Sequence, residues 1–306
     1  MSWPGLTAAD RVKLSQNFHQ RGMTLKLSKQ DRKTHEQALA LLNSGKSLTF
    51  DDAEFVHRHL RPDATTDIGK GSAFFTPWEI AADFQIETRS SERCPIKVLD
   101  LCAGFGILSH QKFLRMRAYG NPLPEVTCIE INPEYVEIGR KLFPEAEWIC
   151  IDVLDVDRVL AGRRFDEFYS NPPFGAISKP SWGDRPGRKP VRWEYAVAEI
   201  GMRYAEHGTM ICQQGITSWK MSGCQSFVEV DNPVYKKWSG ESGLVLANNC
   251  GIDCSHTPFK GANVTVDICV VERTEKPKRS DVVEPASESE IDGKPDLVKR
   301  VERTLF

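Results

Sequence analysis

The sequence predicts an α/β fold with a mostly parallel sheet and helices on both of its faces. Short apolar runs of strand length alternate with longer stretches that have helical apolar spacing. A glycine turn follows one of these runs directly and opens a helix, as in the βα turn of nucleotide-binding sheets. Polar residues stand at the ends of four successive runs, which is where open α/β sheets bind ligands.

The first strand of this series covers 96–101 and leads into the turn Cys102-Ala103-Gly104-Phe105-Gly106-Ile107. Gly104 and Gly106 let the backbone pass close to a ligand, because glycine has no Cβ. Asp100, at the end of the strand, can accept a hydrogen bond from an amine. The turn lacks the full dinucleotide fingerprint, so by itself it predicts only a nucleotide-binding βα unit.

The second predicted strand, 126–131, ends in an acid. Glu130 lies 24 residues after Gly106, the spacing at which an acid meets a ribose diol in doubly wound folds. The pair Asn132-Pro133 then has the form of a cap and first residue, and it predicts a helix that ends at about Phe143.

The next predicted strand, 148–151, is followed by Asp152. The strand after it, 165–169, is followed by the segment Asn171-Pro172-Pro173-Phe174. The asparagine offers an acceptor oxygen, and the proline nitrogens carry no N–H that would compete for acceptors. An amino group that donates to the amide and to a proline carbonyl is pushed towards tetrahedral geometry, so its lone pair is freed for attack on an electrophilic methyl group. Phe174 offers a face for the target ring. The segment also has the composition of an ordinary turn.

In their order, these motifs resemble those of S-adenosylmethionine-dependent amino-methyltransferases, and most closely the DNA adenine-N6 methyltransferases. Phe74-Phe75-Thr76-Pro77 resembles the Phe-x-Thr-Pro segment that precedes the glycine motif in one circular order of these enzymes. The resemblance covers roughly 68–273 and rests on motif order. It implies a Rossmann-like class I methyltransferase fold, with a seven-stranded, mostly parallel sheet, helices on both faces and a C-terminal antiparallel hairpin. The predicted strands 209–212 and 265–271 complete that sheet.

The resemblance also implies a role for each motif. The residues implied to bind S-adenosylmethionine are Phe75, Thr76, Pro77, Asp100, Cys102, Ala103, Gly104, Gly106, Glu130, Ile131, Asp152 and Asn171. The residues implied to carry catalysis are Asn171, Pro172, Pro173 and Phe174. Within the first set, Glu130 binds the ribose hydroxyls, Ile131 packs on the adenine ring and Asp152 accepts from its amino group. Asp100 and the turn hold the methionine part, although many relatives have one more glycine in that turn.

A basic segment follows the catalytic motif. Its cationic residues are Lys179, Arg185, Arg188, Lys189 and Arg192. Such a loop is suited to bind phosphates beside a nucleotide turned out of its helix, and the alternative is a solvated surface loop. The chain has 40 Lys and Arg against 42 Asp and Glu, a net charge of -2, so any affinity for nucleic acid comes from a local patch.

Composition and local patterns predict three parts. These are a helical appendage over 1–66, a catalytic domain over 67–273 and a disordered tail with a short terminal helix over 274–306. In the appendage, 31–42 has helical apolar spacing, and Thr49 with Asp52 predicts a capping box for a helix through Leu60. The tail is dominated by proline, serine and charged residues, which do not build a core.

The number and spacing of the cysteines bear on disulfides and metal binding, and the lengths of the apolar runs bear on membrane contact. The chain has 9 cysteines, an odd number spread over predicted strands and turns, which fits reduced thiols rather than a disulfide framework. Cys224, Cys250, Cys254 and His256 lack the spacing of a standard zinc finger, so no metal is expected. We expect a cytoplasmic protein without membrane contact, because no run has the length of a membrane span and residues 1–10 lack the pattern of a signal peptide.

Three functions compete at this point. Methylation of adenine N6 in DNA fits every motif, and a restriction-modification setting follows from the resemblance alone, with any partner nuclease unidentified. Methylation of RNA or of a glutamine amide in a protein uses the same catalytic tetrad. The Phe74–Pro77 segment favours DNA, and the basic loop disfavours a purely protein substrate. A non-catalytic nucleic-acid-binding module is the third possibility, and the intact Asp100, Glu130, Asp152 and Asn171 disfavour it.

Overall fold

The computed structural model describes residues 28–61, 75–183, 189–259 and 264–274. Its strands are β1 Lys97–Leu101, β2 Glu125–Glu130, β3 Glu147–Cys150, β4 Phe165–Ser170, β5 Ala205–Gln213, β6 Trp219–Lys220, β7 Val228–Glu229, β8 Leu244–Ala247 and β9 Val266–Arg273. Its α-helices are α1 Lys29–Leu42, α2 Phe50–His59, α3 Trp78–Phe84, α4 Ile107–Ala118, α5 Pro133–Leu142, α6 Asp157–Leu160, α7 Lys179–Trp182, α8 Trp193–Tyr204 and α9 Pro233–Ser242. Single 3-10 turns lie at Gln85–Glu87 and Val153–Asp155.

The main sheet has seven strands in the order β3-β2-β1-β4-β5-β9-β8. Strands β1 to β5 run parallel to one another, and β9 is antiparallel to both β5 and β8. This order confirms the predicted Rossmann-like, mostly parallel sheet, with β8 and β9 as the C-terminal antiparallel pair. The short strands β6 and β7 pair with each other as a separate ribbon.

Helices cover both faces of the sheet. Neighbouring residues of a strand point to opposite sides, and on both sides they are apolar. Val98 of β1 belongs to an apolar cluster with Leu108 and Phe113 of α4. The next residue, Leu99, belongs to a second cluster with Tyr195 and Val197 of α8. The carboxyl ends of β1, β2 and β4 therefore meet at one edge, between the two helical layers.

Local caps fix the starts of two helices as the sequence predicted. Thr49 and Asp52 form a capping box, with the Thr49 N–H donating to Asp52 Oδ2 at 2.9 Å and the Asp52 N–H donating to Thr49 Oγ1 at 3.2 Å. Asn132 caps α5 by accepting from the Glu134 N–H at 2.9 Å, and Pro133 is its first residue. Both caps satisfy N–H groups that have no partner inside the helix.

The N-terminal helices α1 and α2 pack against helix α5 through a third apolar cluster. Ala38 and Leu42 of α1 and Val56 of α2 share this cluster with Tyr135 and Ile138 of α5. This packing places α2 beside the carboxyl edge of the sheet. The predicted boundary at residue 66 and, apart from Thr274, the predicted tail lie outside the described residues.

Membrane-spanning helices, disulfides and metal sites were also considered in the sequence. None of the helices in the described ranges combines the length and the apolar character needed to cross a membrane. All nine cysteines are free. Within the same ranges, no three side chains of His, Cys, Asp or Glu are grouped as metal ligands would be.

Candidate active site

A cavity of about 580 Å³ opens at the carboxyl ends of β1, β2 and β4, a volume typical of small-molecule sites. The predicted site residues that line it are Phe75, Thr76, Asp100, Cys102, Ala103, Gly104, Glu130, Ile131, Asp152, Asn171, Pro172 and Pro173. Residues that the sequence analysis did not select also line it, among them His57, Phe105, Ile107, Leu108, Tyr135 and Trp193. Of the predicted set, Pro77, Gly106 and Phe174 are not part of its wall.

The turn after β1 has the tight backbone that its glycines predict. Cys102, Gly104 and Gly106 have φ angles of 58°, 58° and 78°. A Cβ at Gly106 would lie 2.9 Å from Trp148, so only glycine fits there without a shift of that ring. Cys102 adopts the left-handed region although it has a side chain. Strain of this kind persists where the surroundings impose it, and it clusters at functional sites.

Asp100 is a buried carboxyl group with one oxygen engaged. It is 1% exposed, and its Oδ2 accepts from the Ser109 hydroxyl at 2.7 Å. Its Oδ1 is buried and has no hydrogen-bond partner among the described residues. Burial raises the pKa of Asp100 to about 7, and the charge of Glu130 adds to that rise, while Ser109 opposes it. A buried acceptor without a donor is costly, so this end of the cavity fits a ligand that brings a cationic N–H group.

Glu130 is held across from the turn by two backbone donors. Its Oε2 accepts from the Gly104 N–H at 2.8 Å, and its Oε1 accepts from the Asn132 N–H at 2.9 Å. Burial raises the pKa of Glu130, and these backbone hydrogen bonds oppose the rise. Each carboxylate oxygen retains a second lone pair. The carboxylate is therefore fixed in place and able to accept from two adjacent hydroxyls.

The wall beyond β2 and β3 is apolar with one acid. Ile131 is 62% exposed, which is unusual for a large aliphatic side chain that lines a cavity. Asp152 caps the following 3-10 turn through a hydrogen bond from the Leu154 N–H to its Oδ1 at 2.9 Å. An aliphatic face beside a carboxylate is suited to a flat ring that carries an amino group.

Asn171 stands at the end of β4, where Ser170 ties that strand to β1 by donating to the Leu101 carbonyl at 2.7 Å. The Asn171 amide nitrogen donates to Thr76 Oγ1 at 2.9 Å. The amide is thereby oriented, with its oxygen as the opposite, accepting end. The structure thus brings together two predicted motifs that lie 95 positions apart in the chain.

The two predicted aromatic contacts differ in position. Phe75 lines the cavity and stacks on Phe105, with ring centroids 4.4 Å apart and an interplanar angle of 12°. Phe174 instead makes an edge contact with Phe259, at a centroid distance of 6.2 Å. Stacking of a target ring on Phe174 stays a prediction. Pro77 precedes α3 as its cap residue.

The loop after the Asn171–Phe174 motif is closed at its base by backbone contacts. The Trp193 N–H donates to the Gly175 carbonyl at 3.0 Å, and Ala176 pairs with Arg192 in an antiparallel bridge. The basic segment therefore starts and ends beside the Asn171–Phe174 motif.

The cationic residues of this loop have different surroundings. The Arg192 guanidinium donates to the fully buried Glu194 at 3.1 Å and to Gln213 at 2.9 Å. Burial raises the pKa of Glu194, and the charge of Arg192 opposes that rise. Arg192 thus has a positioning contact within the protein, and a phosphate contact for it stays a prediction. Lys189 is exposed. Arg185, Arg188 and the side chain of Lys179 lie outside the described part of the structure.

Comparison with known proteins finds similar folds and no family. No protein-family model matches the chain, and no curated protein matches it. A protein described as a modification subunit of a type I restriction enzyme from Vibrio vulnificus aligns at 12% identity and a TM-score of 0.49, over 69% of this chain and 46% of that one. The type I restriction-modification methyltransferase subunit from Streptococcus thermophilus aligns at 15% identity and 0.45, over 76% and 52%. A protein described as a class I S-adenosylmethionine-dependent methyltransferase from Listeria monocytogenes aligns at 11% identity and 0.48, over 89% and 91%.

The chain spans about half the length of these two restriction-modification subunits. Identities and TM-scores of this size do not assign a family, an activity or a substrate.

Proposed function

We propose that this chain is an S-adenosylmethionine-dependent methyltransferase that acts on the exocyclic N6 amino group of adenine in DNA. One observation carries the proposal. The Asn171 amide, oriented by Thr76, stands on the wall of the same cavity as the buried carboxyl groups of Asp100 and Glu130. An acceptor for an amino group thus adjoins a site with acids placed for a nucleoside bearing an amino-acid end.

The cavity residues fit this cofactor part by part. The buried Asp100 Oδ1 is suited to the ammonium group of the methionine part. Glu130 is suited to the ribose hydroxyls, and Ile131 with Asp152 to the adenine ring and its amino group. When bound, the cofactor supplies an electrophilic methyl group. This is the cofactor assignment that we propose for the chain.

Catalysis is proposed to rest on orientation of the target amino group. The Asn171 Oδ1 and the Pro172 carbonyl oxygen accept its two N–H groups, which directs the nitrogen lone pair into the cavity. The same oxygens stabilise the positive charge that develops on the nitrogen during attack. A strongly basic residue is not required in this scheme, since the nitrogen loses its proton to water after it has become cationic, and the spent cofactor would leave as a neutral thioether.

A nucleic-acid substrate is proposed because of the loop beside the motif. A base in a duplex must be turned out before its amino group can reach a cavity. The basic loop adjoins the catalytic motif at both ends, and Lys179, Arg185, Arg188 and Lys189 are the cations we propose for contacts with flanking phosphates. The resemblance of Phe75-Thr76-Pro77 to the DNA enzymes favours DNA over RNA, and a restriction-modification role is proposed on that resemblance alone.

The test is transfer of label to defined substrates. Purified protein is incubated with labelled S-adenosylmethionine and, separately, with unmethylated duplex DNA, single-stranded DNA, total RNA or a protein extract. Mass spectrometry then identifies the modified nucleoside or side chain. N6-methyladenine in DNA is the expected product. Label found only in RNA or only on glutamine would indicate the same methyl-transfer reaction on a different substrate. Cofactor binding without transfer would indicate a non-catalytic binding protein.

A further inference from the structure

The N-terminal helix α2 contributes a side chain to the cavity, although the sequence analysis placed the appendage apart from the site. His57 of α2 lines the cavity together with Asp100 and with Ile107 and Leu108, the first two residues of α4. Val56, its neighbour in the chain, is fully buried in the apolar cluster that joins α2 to α5. Helix α2 is thus anchored where His57 meets the cavity.

A second histidine holds the ring of His57. The Nε2 atom of His57 lies 3.1 Å from Nδ1 of His110. The His110 ring in turn stacks on Phe143 at a centroid distance of 4.8 Å. Burial lowers the pKa of His57 and lowers that of His110 to about 4. Both rings are therefore neutral at pH 7, so one nitrogen of each is a donor and the other an acceptor. When His57 Nε2 accepts from His110, its Nδ1 carries the proton.

The same wall of the cavity offers complementary groups for a cation and for an anion. Asp100 Oδ1 is buried without a partner in the described structure, which points to a cationic donor. Ile107 and Leu108 start α4, where the N–H groups have no partner inside the helix and the helix dipole favours an anion. Consecutive residues of α4, Ser109 and His110, hold Asp100 and His57. An ammonium and a carboxylate on one carbon match this arrangement.

We propose that His57 donates its Nδ1–H to the carboxylate of the methionine part of the cofactor. The inference rests on the proposed function and adds a cofactor residue from the N-terminal helix.

The test compares two probes that differ in that end. S-adenosylhomocysteine carries the amino-acid end and 5′-methylthioadenosine lacks it. Calorimetry measures the Kd of each probe with the wild type, His57→Ala and His59→Ala. His57→Ala is expected to weaken S-adenosylhomocysteine roughly 10- to 100-fold, the size of one hydrogen bond to a charged group, and to leave 5′-methylthioadenosine unchanged. His59→Ala is the matched control, since His59 lies on the same helix, packs on Phe55 and is not part of the cavity wall.

Two further measurements keep the outcome decisive. His57→Gln retains an N–H donor and is expected to recover part of the lost affinity, with thermal melting as a check on folding. In the wild type, the imidazole 15N resonances of His57 are expected to shift with S-adenosylhomocysteine and not with 5′-methylthioadenosine. Equal affinities in wild type and His57→Ala, or equal weakening of both probes, would overturn the inference. Failure of the wild type to bind either probe would instead overturn the proposed function.

Discussion

Two buried carboxyl groups lie on the face of the sheet that α4 covers, and they differ in how completely the protein satisfies them. Glu167 of β4 accepts from the Tyr169 hydroxyl and from the Arg89 N–H at 2.9 Å, so both of its oxygens are engaged. Asp100 of β1 accepts from Ser109 through one oxygen, and its other oxygen has no partner among the described residues. Burial raises the pKa of both groups.

The difference separates an acid whose partners lie within the protein from an acid that we propose binds a ligand. Glu167 also faces the positive charge of the buried Lys112, whose ammonium donates to Thr88 Oγ1 at 2.9 Å and to the Arg89 carbonyl. That network is complete within the protein. Asp100 lies at the carboxyl edge of the sheet, and in the proposed function a ligand supplies the donor for its second oxygen. Burial of an acid is therefore a weak indicator of function, and an unsatisfied oxygen on a cavity wall is a stronger one.

The largest effect is expected on stability, from Glu167→Ala. The change leaves Lys112 buried without its counter-charge, so the free energy of unfolding is expected to fall by about 3–5 kcal/mol. Urea denaturation followed by tryptophan fluorescence measures it. Asp166→Ala is the matched control on the same strand, because Asp166 is exposed and accepts from the Lys97 N–H. Loss of cofactor affinity with unchanged stability would reverse the roles given to Glu167 and Asp100.

The next effect is on turnover, from Asn171→Ala. Removal of the acceptor for the target amino group is expected to lower the methyl-transfer rate by about 10²- to 10³-fold while the cofactor Kd is unchanged. Single-turnover assays with calorimetry separate the two quantities. Asn121→Ala, outside the cavity, is expected to keep the wild-type rate. If Asn171→Ala lost cofactor binding as well, it would contradict the proposal that Asn171 orients the target amino group while Asp100 and Glu130 bind the cofactor.

A smaller effect, on affinity, is expected from Glu130→Gln. The amide retains one acceptor and loses the charge, so S-adenosylhomocysteine is expected to bind roughly 10-fold more weakly. The rate at saturating cofactor stays close to that of the wild type. Glu130→Ala is expected to weaken binding further, because the Gly104 and Asn132 N–H groups also lose their acceptor. Glu134→Ala, near the start of α5, is the control, and equal weakening by it would contradict a specific role for Glu130.

Cofactor affinity is also expected to depend on pH. Because the Asp100 pKa is about 7 in the free protein, the carboxyl group is protonated at lower pH and no longer accepts from an ammonium. Affinity for S-adenosylhomocysteine is expected to fall by up to about tenfold per pH unit below pH 7. Calorimetry from pH 5.5 to about 8.5 tests this range. Asp100→Asn is expected to bind weakly at every pH, and an unchanged slope in that variant would assign the titration to another group.

The stability of the ligand-free protein is expected to depend on Asp100 with the opposite sign. A raised pKa in the folded state means that folding favours the protonated form. This contribution is present below the ordinary pKa of 3.8, and it is lost as pH rises to about 7. The slope is about 1.4 kcal/mol per pH unit in that window. Asp100→Asn removes it, as parallel urea titrations at several pH values would show.

The sequence by itself determined the features that depend on neighbours in the chain. Apolar periodicity predicted the parallel strands, and the capping residues Thr49 and Asn132 predicted the starts of α2 and α5, because caps and periodicity are local properties. The ends of the strands depend instead on pairing with neighbouring strands. Strand β5 begins at Ala205 rather than Thr209, since pairing with β4 extends it in that direction.

Only the tertiary structure decided which distant groups meet. The hydrogen bond from Asn171 to Thr76, the unsatisfied oxygen of Asp100 and the entry of His57 into the cavity all depend on elements packed from separate parts of the chain. Arg192 was predicted as a phosphate-binding cation of the basic loop, and its contact with Gln213, 21 positions further along the chain, depends on tertiary packing. The physical reason is that residue type and spacing encode local conformation, whereas hydrogen-bond partners and burial are set by how the helices and the sheet pack.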